Sequence, residues 1–202
     1  MPSSAEADRR GALAWLAVAA LLALPAAAVF FLAPGRLDAL AWKPELVLDQ
    51  PQRAWTAAWV HLSRSHLLAN LAGAALIAAF GIAARLPPGA ALAWLLAWPP
   101  THWCLLAMPA LACYGGLSGV LHAGVAVIAV ELVAREASRD RRLGTATAAL
   151  LCAKVLSETP WRGPLAHPPG ADFATAPIAH ATGAAAGALL ALAIVALRRL
   201  RS

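Results

Sequence analysis

A serine, two histidines and an asparagine lie in apolar, alanine-rich stretches of this chain. These three residue types often take part in catalysis. His66 and Asn70 are four residues apart, Ser118 follows a pair of glycines, and His180 lies among alanines. Polar side chains inside a membrane are costly, so they normally face the interior of a helix bundle and serve a function. Their types are those of acyl transfer. We therefore predict one acyl-transfer site, assembled inside a membrane.

The first pair of roles belongs to Ser118 and His180. A serine hydroxyl attacks a carbonyl only when a base takes its proton, and a neutral imidazole, with an ordinary pKa of about 6.5, suits that task. Because no Asp or Glu lies close to His180 in the sequence, we predict a Ser–His dyad. His122, one helical turn after Ser118, is predicted to orient the base by stacking against the His180 ring.

A second set of residues is predicted to stabilise the oxyanion. Ser118 lies between Gly116 and Gly119 at the start of a predicted helix. Free backbone N–H groups and the positive end of the helix dipole occur there. His66 and Asn70, at i and i+4, lie on one helix face and can add side-chain donors.

Composition places these residues in a membrane protein. Of the 202 residues, 61% are hydrophobic and 13% are charged, and mean hydropathy is +0.68. A span of ~20 residues crosses ~30 Å of hydrocarbon, so the chain has room for about six spans in a single domain, 1–202. The net charge of +6 could indicate a nucleic-acid partner. The basic residues lie at predicted helix ends, where lipid headgroups and topology explain them, so we predict no nucleic-acid partner and a lipid bilayer instead.

The apolar segments predict an all-α membrane protein with six transmembrane helices. The predicted spans are 12–33, 66–84, 89–107, 117–134, 143–159 and 177–197, with a short tail at 1–11 and an external loop at 34–65. The first helix is predicted to be retained, the alternative being a signal peptide cleaved after 26–28. Pro99 and Pro100 are predicted to kink the third helix or to end it early.

The distribution of basic residues predicts that both termini are cytoplasmic. With the N-terminus inside, that side carries most of the 16 Lys and Arg residues: Arg9, Arg10, Arg85, Arg135, Arg139, Arg141, Arg142, Arg198, Arg199 and Arg201. In this topology helices two, four and six begin at the outer face. The four chemistry-bearing residues then lie in first turns at one depth.

Three motifs, taken in order, resemble the rhomboid family of intramembrane serine proteases. They are His-x-x-x-Asn at 66–70, Gly-x-Ser-Gly at 116–119 and Ala-His-x-x-Gly-x-x-x-Gly at 179–187. The resemblance covers the chain from about residue 50 to its end. It implies a six-helix rhomboid-like bundle in which Ser118 is the nucleophile and His180 is the base. It also implies an oxyanion hole of His66, Asn70 and the Ser118 backbone.

Local features are similar to the rhombosortase branch of that family. They are Gly-Leu-Ser-Gly-Val-Leu-His at 116–122, Trp-Val-His at 59–61, and the pair Lys154 and Glu158 near the end of helix five. This resemblance implies a protein of the bacterial inner membrane whose site opens to the periplasm. It also implies substrates that carry a C-terminal Gly-Gly tail, a transmembrane helix and basic residues. No cofactor is implied.

Other polar and small residues have plainer interpretations. Lys154 and Glu158, at i and i+4, are predicted to neutralise each other near the outer surface, with substrate contact as an alternative. Gly183 and Gly187 are predicted to let helix six pack closely on helix four. His61 is predicted to be structural. His102 and His167 are predicted to be solvated loop residues.

The three cysteines predict little chemistry. Cys104 and Cys113 flank the external end of helix three and could form a disulfide, whereas Cys152 has the position of a small apolar filler. No Cys/His spacing predicts a metal site.

Two other functions remain open at the level of sequence. One is a catalytically inactive, rhomboid-like protein that binds membrane clients. The other is a proton-coupled transporter that uses the membrane histidines. The first is disfavoured because Ser118 and His180 are both present, and the second because no internal repeat is evident.

Overall fold

Six long helices dominate the chain. A computed structural model describes residues 3–200, whose secondary structure is helical apart from two isolated β-bridges. The helices are α1 Ser4–Leu32, α2 Arg64–Ala83, α3 Pro88–Trp103, α4 Ser118–Val133, α5 Ser138–Ser157 and α6 Pro177–Arg199. The six predicted helical segments are confirmed, although α1 and α5 begin several residues earlier than predicted.

Three of these helices have the length and hydropathy of membrane spans. They are α1, α2 and α6. The helix α4 is apolar but shorter, at 16 residues, and α5 begins with a charged first turn. The chain is therefore an all-helical protein with the apolar helices of a membrane protein. The count of six spans stays a prediction.

Helix α4 is the centre of the bundle. It packs against α2, α3, α5 and α6, most extensively against α6. A Cβ atom added at Gly183 would overlap the Gly119 carbonyl oxygen, and one added at Gly187 would overlap that of Ala123. The backbones of α4 and α6 therefore touch, as predicted from the glycine spacing. This contact sets the first turns of the two helices side by side.

Prolines lie inside two of the helices, and one of them leaves a carbonyl group that a tryptophan binds. Pro25 lies inside α1 and has no N–H to donate to the carbonyl of Leu21. The indole nitrogen of Trp59 donates to that carbonyl at 3.2 Å, which ties the segment before α2 to the middle of α1. In α3 the helix continues through Pro99 and Pro100 and ends at Trp103, four residues before the predicted end at 107, and a 3₁₀ helix, Cys104–Ala107, follows.

The segment between α1 and α2 folds onto the residues that precede α4. It contains two single-turn α-helices, Leu37–Leu40 and Arg53–Thr56. The buried guanidinium of Arg53 donates to the carbonyls of Asp38 and Ala41, at 2.9 and 2.5 Å. Trp42 forms an antiparallel bridge with Tyr114. The segment therefore supports the approach to Ser118.

Candidate active site

Ser118 is the first residue of α4, at the end of a constrained turn. Gly116 has φ +140°, a left-handed conformation that favours glycine. Its N–H donates to the carbonyl of Ala57 at 2.9 Å, and the Tyr114 hydroxyl donates to its carbonyl at 3.1 Å. The backbone before Ser118 is thus fixed from both sides, which holds the hydroxyl in one place.

The structure brings the predicted nucleophile and base together. His180 Nε2 lies 2.9 Å from Ser118 Oγ, across 62 positions of sequence. The His180 side chain is 4% exposed. This is the hydrogen bond through which a histidine removes a serine proton. It follows from the close packing of α4 on α6, because both residues lie in first turns.

A carboxylate also contacts the predicted base, which the predicted Ser–His dyad did not include. Glu158 follows the last residue of α5, and its Oε2 lies 2.6 Å from His180 Nδ1. The other oxygen, Oε1, accepts from Lys154 Nζ. The predicted pairing of Lys154 with Glu158 is confirmed. The contact between Glu158 and His180 could not be predicted from the sequence, because the two residues are 22 positions apart and meet only when the helices pack together.

His122 stacks on His180 as predicted. The ring centroids are 4.1 Å apart and the planes differ by 11°. The His122 Nδ1 lies 2.7 Å from the carbonyl oxygen of Ser118, so a protonated Nδ1 donates to it. His122 therefore packs against the predicted base, while Glu158 accepts a hydrogen bond from its ring.

Three of these side chains could be considered as metal ligands. One ligand atom each from His122, Glu158 and His180 falls within a span of 4.8 Å. Two ligands of a tetrahedral ion, each ~2.0–2.1 Å from it, lie more than about 3 Å apart. The 2.6 Å between His180 Nδ1 and Glu158 Oε2 is a hydrogen bond. The geometry fits proton transfer better than coordination.

His66 lies beside Ser118. It borders the same cavity as Ser118, of about 450 Å³, and a Cβ at Gly116 would lie 3.1 Å from its Nε2. Its ring stacks on Phe173, with centroids 4.5 Å apart. Among the described residues its buried Nδ1 has no hydrogen-bond partner. The side chain is held by stacking.

Asn70 is buried one turn further along α2 and is held by His61. Its Nδ2 lies 3.1 Å from His61 Nε2, and His61 Nδ1 lies 3.4 Å from the carbonyl of Trp59. Burial, with a smaller contribution from His66, lowers the pKa of His61 to about 4. A neutral His61 can donate through Nδ1 and accept at Nε2. The predicted structural role of His61 is therefore specific: it fixes the amide of Asn70.

The loop between α5 and α6 covers α2 near its start. The carboxylate of Asp172 accepts from the hydroxyls of Ser63, at 3.1 Å, and Ser65. The bond from Ser65 is the main cause that lowers the pKa of Asp172. Phe173, the next residue, stacks on His66. We call the contacts of Asp172 with Ser63 and Ser65, and of Phe173 with His66, the latch. The sequence did not predict it, because nothing in an Asp-Phe dipeptide marks its partner.

The cavity beside Ser118 is mostly apolar. Its lining includes side chains from the segment after α1 and from the loop before α6: Leu37, Ala41, Val60, Leu62, Leu165 and Ala176. The polar groups Ser118 and His66 lie at its wall. An apolar side chain next to a scissile bond fits such a cavity.

The predictions for His102 and Cys152 are wrong. His102 is not solvated: it is fully buried at the end of α3, with Nδ1 2.6 Å from the carbonyl oxygen of Ala54. Cys104 and Cys113, for which the sequence left a disulfide open, are exposed free thiols. Cys152 is exposed on α5 and does not fill the core. His167 is exposed in a loop, as predicted.

Comparison with known proteins adds no relative. No protein-family model matches the chain, and no curated protein matches it significantly.

Proposed function

We propose that this protein is a serine endopeptidase that acts within the membrane, with Ser118 as nucleophile and His180 as base. The observation that carries the proposal is the continuous line of hydrogen bonds from Ser118 Oγ through His180 to Glu158, at 2.9 and 2.6 Å. A hydroxyl, a buried imidazole and a carboxylate in this order form an activated nucleophile. The three motifs that resemble the rhomboid family agree with it.

The geometry supports a two-step acyl transfer. Ser118 Oγ attacks the peptide carbonyl while its proton passes to His180 Nε2, and the carbonyl oxygen becomes an oxyanion. The imidazolium then gives the proton to the leaving amine, which releases one product. Water, deprotonated by His180, cleaves the acyl-enzyme in the same way. His66, the Asn70 amide and the Ser118 backbone N–H are the donors assigned to the oxyanion.

The membrane setting is inferred from hydropathy and charge. Six spans with both termini cytoplasmic put the first turns of α2, α4 and α6 at the outer side of a bacterial inner membrane. The site then meets the outer end of a substrate helix. The resemblance to the rhombosortase branch favours single-pass substrates with a C-terminal helix and a Gly-Gly tail, which are released outward after one cut.

A serine-directed fluorophosphonate separates this function from its alternatives. Purified protein in micelles is expected to be labelled, and Ser118→Ala is expected to lose the label. Ser138→Ala, at the exposed start of α5, is the matched control and should label as the parent does. An inactive client-binding protein or a proton transporter has no activated serine. Absence of labelling in the parent, or labelling that survives Ser118→Ala, contradicts the proposal.

A further inference from the structure

The two oxygens of Glu158 bind different partners. Oε2 lies 2.6 Å from His180 Nδ1, and Oε1 accepts from Lys154 Nζ. The Glu158 side chain is 15% exposed and that of His180 is 4% exposed, whereas Lys154 is 56% exposed. The carboxylate is therefore held between a buried imidazole and an ammonium at the surface, and each oxygen has an assigned place.

We propose that Glu158 is the positioning residue that sets the tautomer of His180, and that Lys154 decides which atom of residue 158 faces the imidazole. The inference rests on the proposed function of Ser118 and His180. An anionic carboxylate has only acceptors, so it requires a proton on His180 Nδ1. The lone pair of Nε2 then points at Ser118 Oγ, 2.9 Å away, ready to take its proton.

The same contact stabilises the charge that forms during catalysis. When Nε2 takes the serine proton, the imidazole becomes a cation beside the Glu158 carboxylate. Both groups are largely withdrawn from solvent, so their attraction is weakly screened. Glu158 never accepts the proton in this scheme; it orients the base and balances its charge.

The role of Lys154 follows from the hydrogen-bonding capacity of its ammonium group. An ammonium donates and cannot accept, so whatever group lies at Oε1 must be an acceptor. Lys154 precedes Glu158 by four residues, and Glu158 directly follows the last residue of α5. The two side chains therefore lie on one face of the helix. In the native chain either oxygen of the Glu158 carboxylate can accept a hydrogen bond from Lys154. In Glu158→Gln only the amide oxygen can accept it.

The difference between the oxygen and the NH₂ group of the amide in Glu158→Gln gives the first test. In Glu158→Gln the amide oxygen is expected to face Lys154, which turns the NH₂ group toward His180 Nδ1. A donor at that position forces the proton to Nε2, where it blocks transfer from Ser118. We expect kcat to fall by about 10²- to 10⁴-fold, as loss of the correct tautomer does in serine hydrolases, with little change in KM.

Removal of the lysine should partly reverse that loss. In Lys154→Met with Glu158→Gln the amide is free to turn its oxygen toward His180 Nδ1, which restores the tautomer without the charge. We expect kcat at least about tenfold above that of Glu158→Gln, because Nε2 again presents its lone pair to Ser118 Oγ. Lys154→Arg with Glu158→Gln keeps the donor and should show no recovery.

Equal kcat for Glu158→Gln and the parent would overturn the proposal. So would a folded Lys154→Met/Glu158→Gln double variant no faster than Glu158→Gln. The rates are measured as substrate turnover and as fluorophosphonate inactivation, with melting temperature as the check on folding.

A second measurement needs no variant of Glu158. The ¹⁵N shifts of His180, assigned by difference with His180→Gln, report which ring nitrogen carries the proton in the resting protein. We expect Nδ1–H, and a resting Nε2–H imidazole contradicts the inference. A protein that has the Nδ1–H tautomer but does not label with fluorophosphonate would refute the proposed function and leave the positioning by Glu158 intact.

Discussion

At the scale of single residues, each group in the site is held by a partner outside it. Tyr114 fixes the carbonyl of Gly116, Glu158 fixes the imidazole of His180, and His61 fixes the amide of Asn70. Reactive groups held in this way lose little entropy on binding a substrate. The pairing of Ser118 with His180 could be predicted from residue type and motif. Their supporting partners could not, because hydrogen bonds across the bundle leave no mark in a local pattern.

We expect Ser118→Ala and His180→Ala each to abolish cleavage of a reconstituted single-pass substrate. Both substitutions remove a reacting group and leave the close contact between α4 and α6 in place, so the bundle should stay folded, and melting temperature should fall more for His180→Ala because His180 is buried. Thr145→Ala, at an exposed position of α5, is a control of similar size. Wild-type turnover in either site variant would rule out the assignment.

Donors to the oxyanion should have graded effects. Asn70→Ala and His66→Ala are each expected to lower kcat by about 10- to 1,000-fold, since one oxyanion donor is worth ~3 kcal/mol and others remain. His61→Ala leaves the Asn70 amide without its partner, so it should lower kcat in the same direction but by less. The measurement is kcat at saturating substrate. If all three variants turn over at the parental rate, the oxyanion is stabilised elsewhere.

At the scale of helices, the site depends on how closely α4 and α6 approach. The glycine spacing predicted this contact, and the positions of all six helices followed from hydropathy. The end of α5 was less predictable: the Lys154–Glu158 pair fits a solvated helix end as well as a site wall. The burial of His102 was missed for a related reason, since its partner is the carbonyl of Ala54, 48 positions away.

Gly183→Ala should damage the site through the backbone. The added Cβ would overlap the carbonyl oxygen of Gly119, so α6 must move away from α4 and carry His180 with it. We expect a lower melting temperature, on the order of 1–3 kcal/mol of lost stability, and a larger loss of kcat than of substrate affinity. Gly89→Ala is the matched control, because its Cβ would lie 3.4 Å from Ile194, an ordinary contact. Equal effects of the two substitutions would show that the close approach does not position the site.

At the scale of the whole molecule, the site is enclosed by two connecting segments, one before α2 and one before α6. The second is fastened to α2 by Asp172, whose pKa is lowered chiefly by the Ser65 hydroxyl. A carboxyl with a lowered pKa stabilises the fastened state above its ordinary pKa, and the stabilisation is lost as pH falls through the lowered native value. The latch is therefore fully formed at neutral pH.

We expect Asp172→Ala to loosen this loop at neutral pH without unfolding the bundle. The readout is amide hydrogen exchange in 160–176, which should be faster than in the parent, while exchange in α4 stays the same. At a pH below the native pKa of Asp172 the parent and Asp172→Ala should exchange alike in this loop. Asp49→Ala, in the segment before α2, is the control. A loop that exchanges equally in the parent and in Asp172→Ala at neutral pH contradicts the latch.

The placement of the site in the bundle also predicts which bond is cut. A peptide bond within a stable helix is shielded, because its carbonyl is hydrogen-bonded and wrapped by side chains. Glycine weakens a helix by ~1 kcal/mol relative to alanine, so cleavage should occur where glycines lie at the outer boundary of the substrate helix. In the proposed topology Ser118 meets that boundary and not the middle of the helix.

Replacement of the boundary glycines by leucine in a single-pass substrate should slow release several-fold, whereas glycine-to-leucine changes at the inner end should not. Mass spectrometry of the released product locates the cut, and cleavage in the inner half of the helix would contradict this placement of the site.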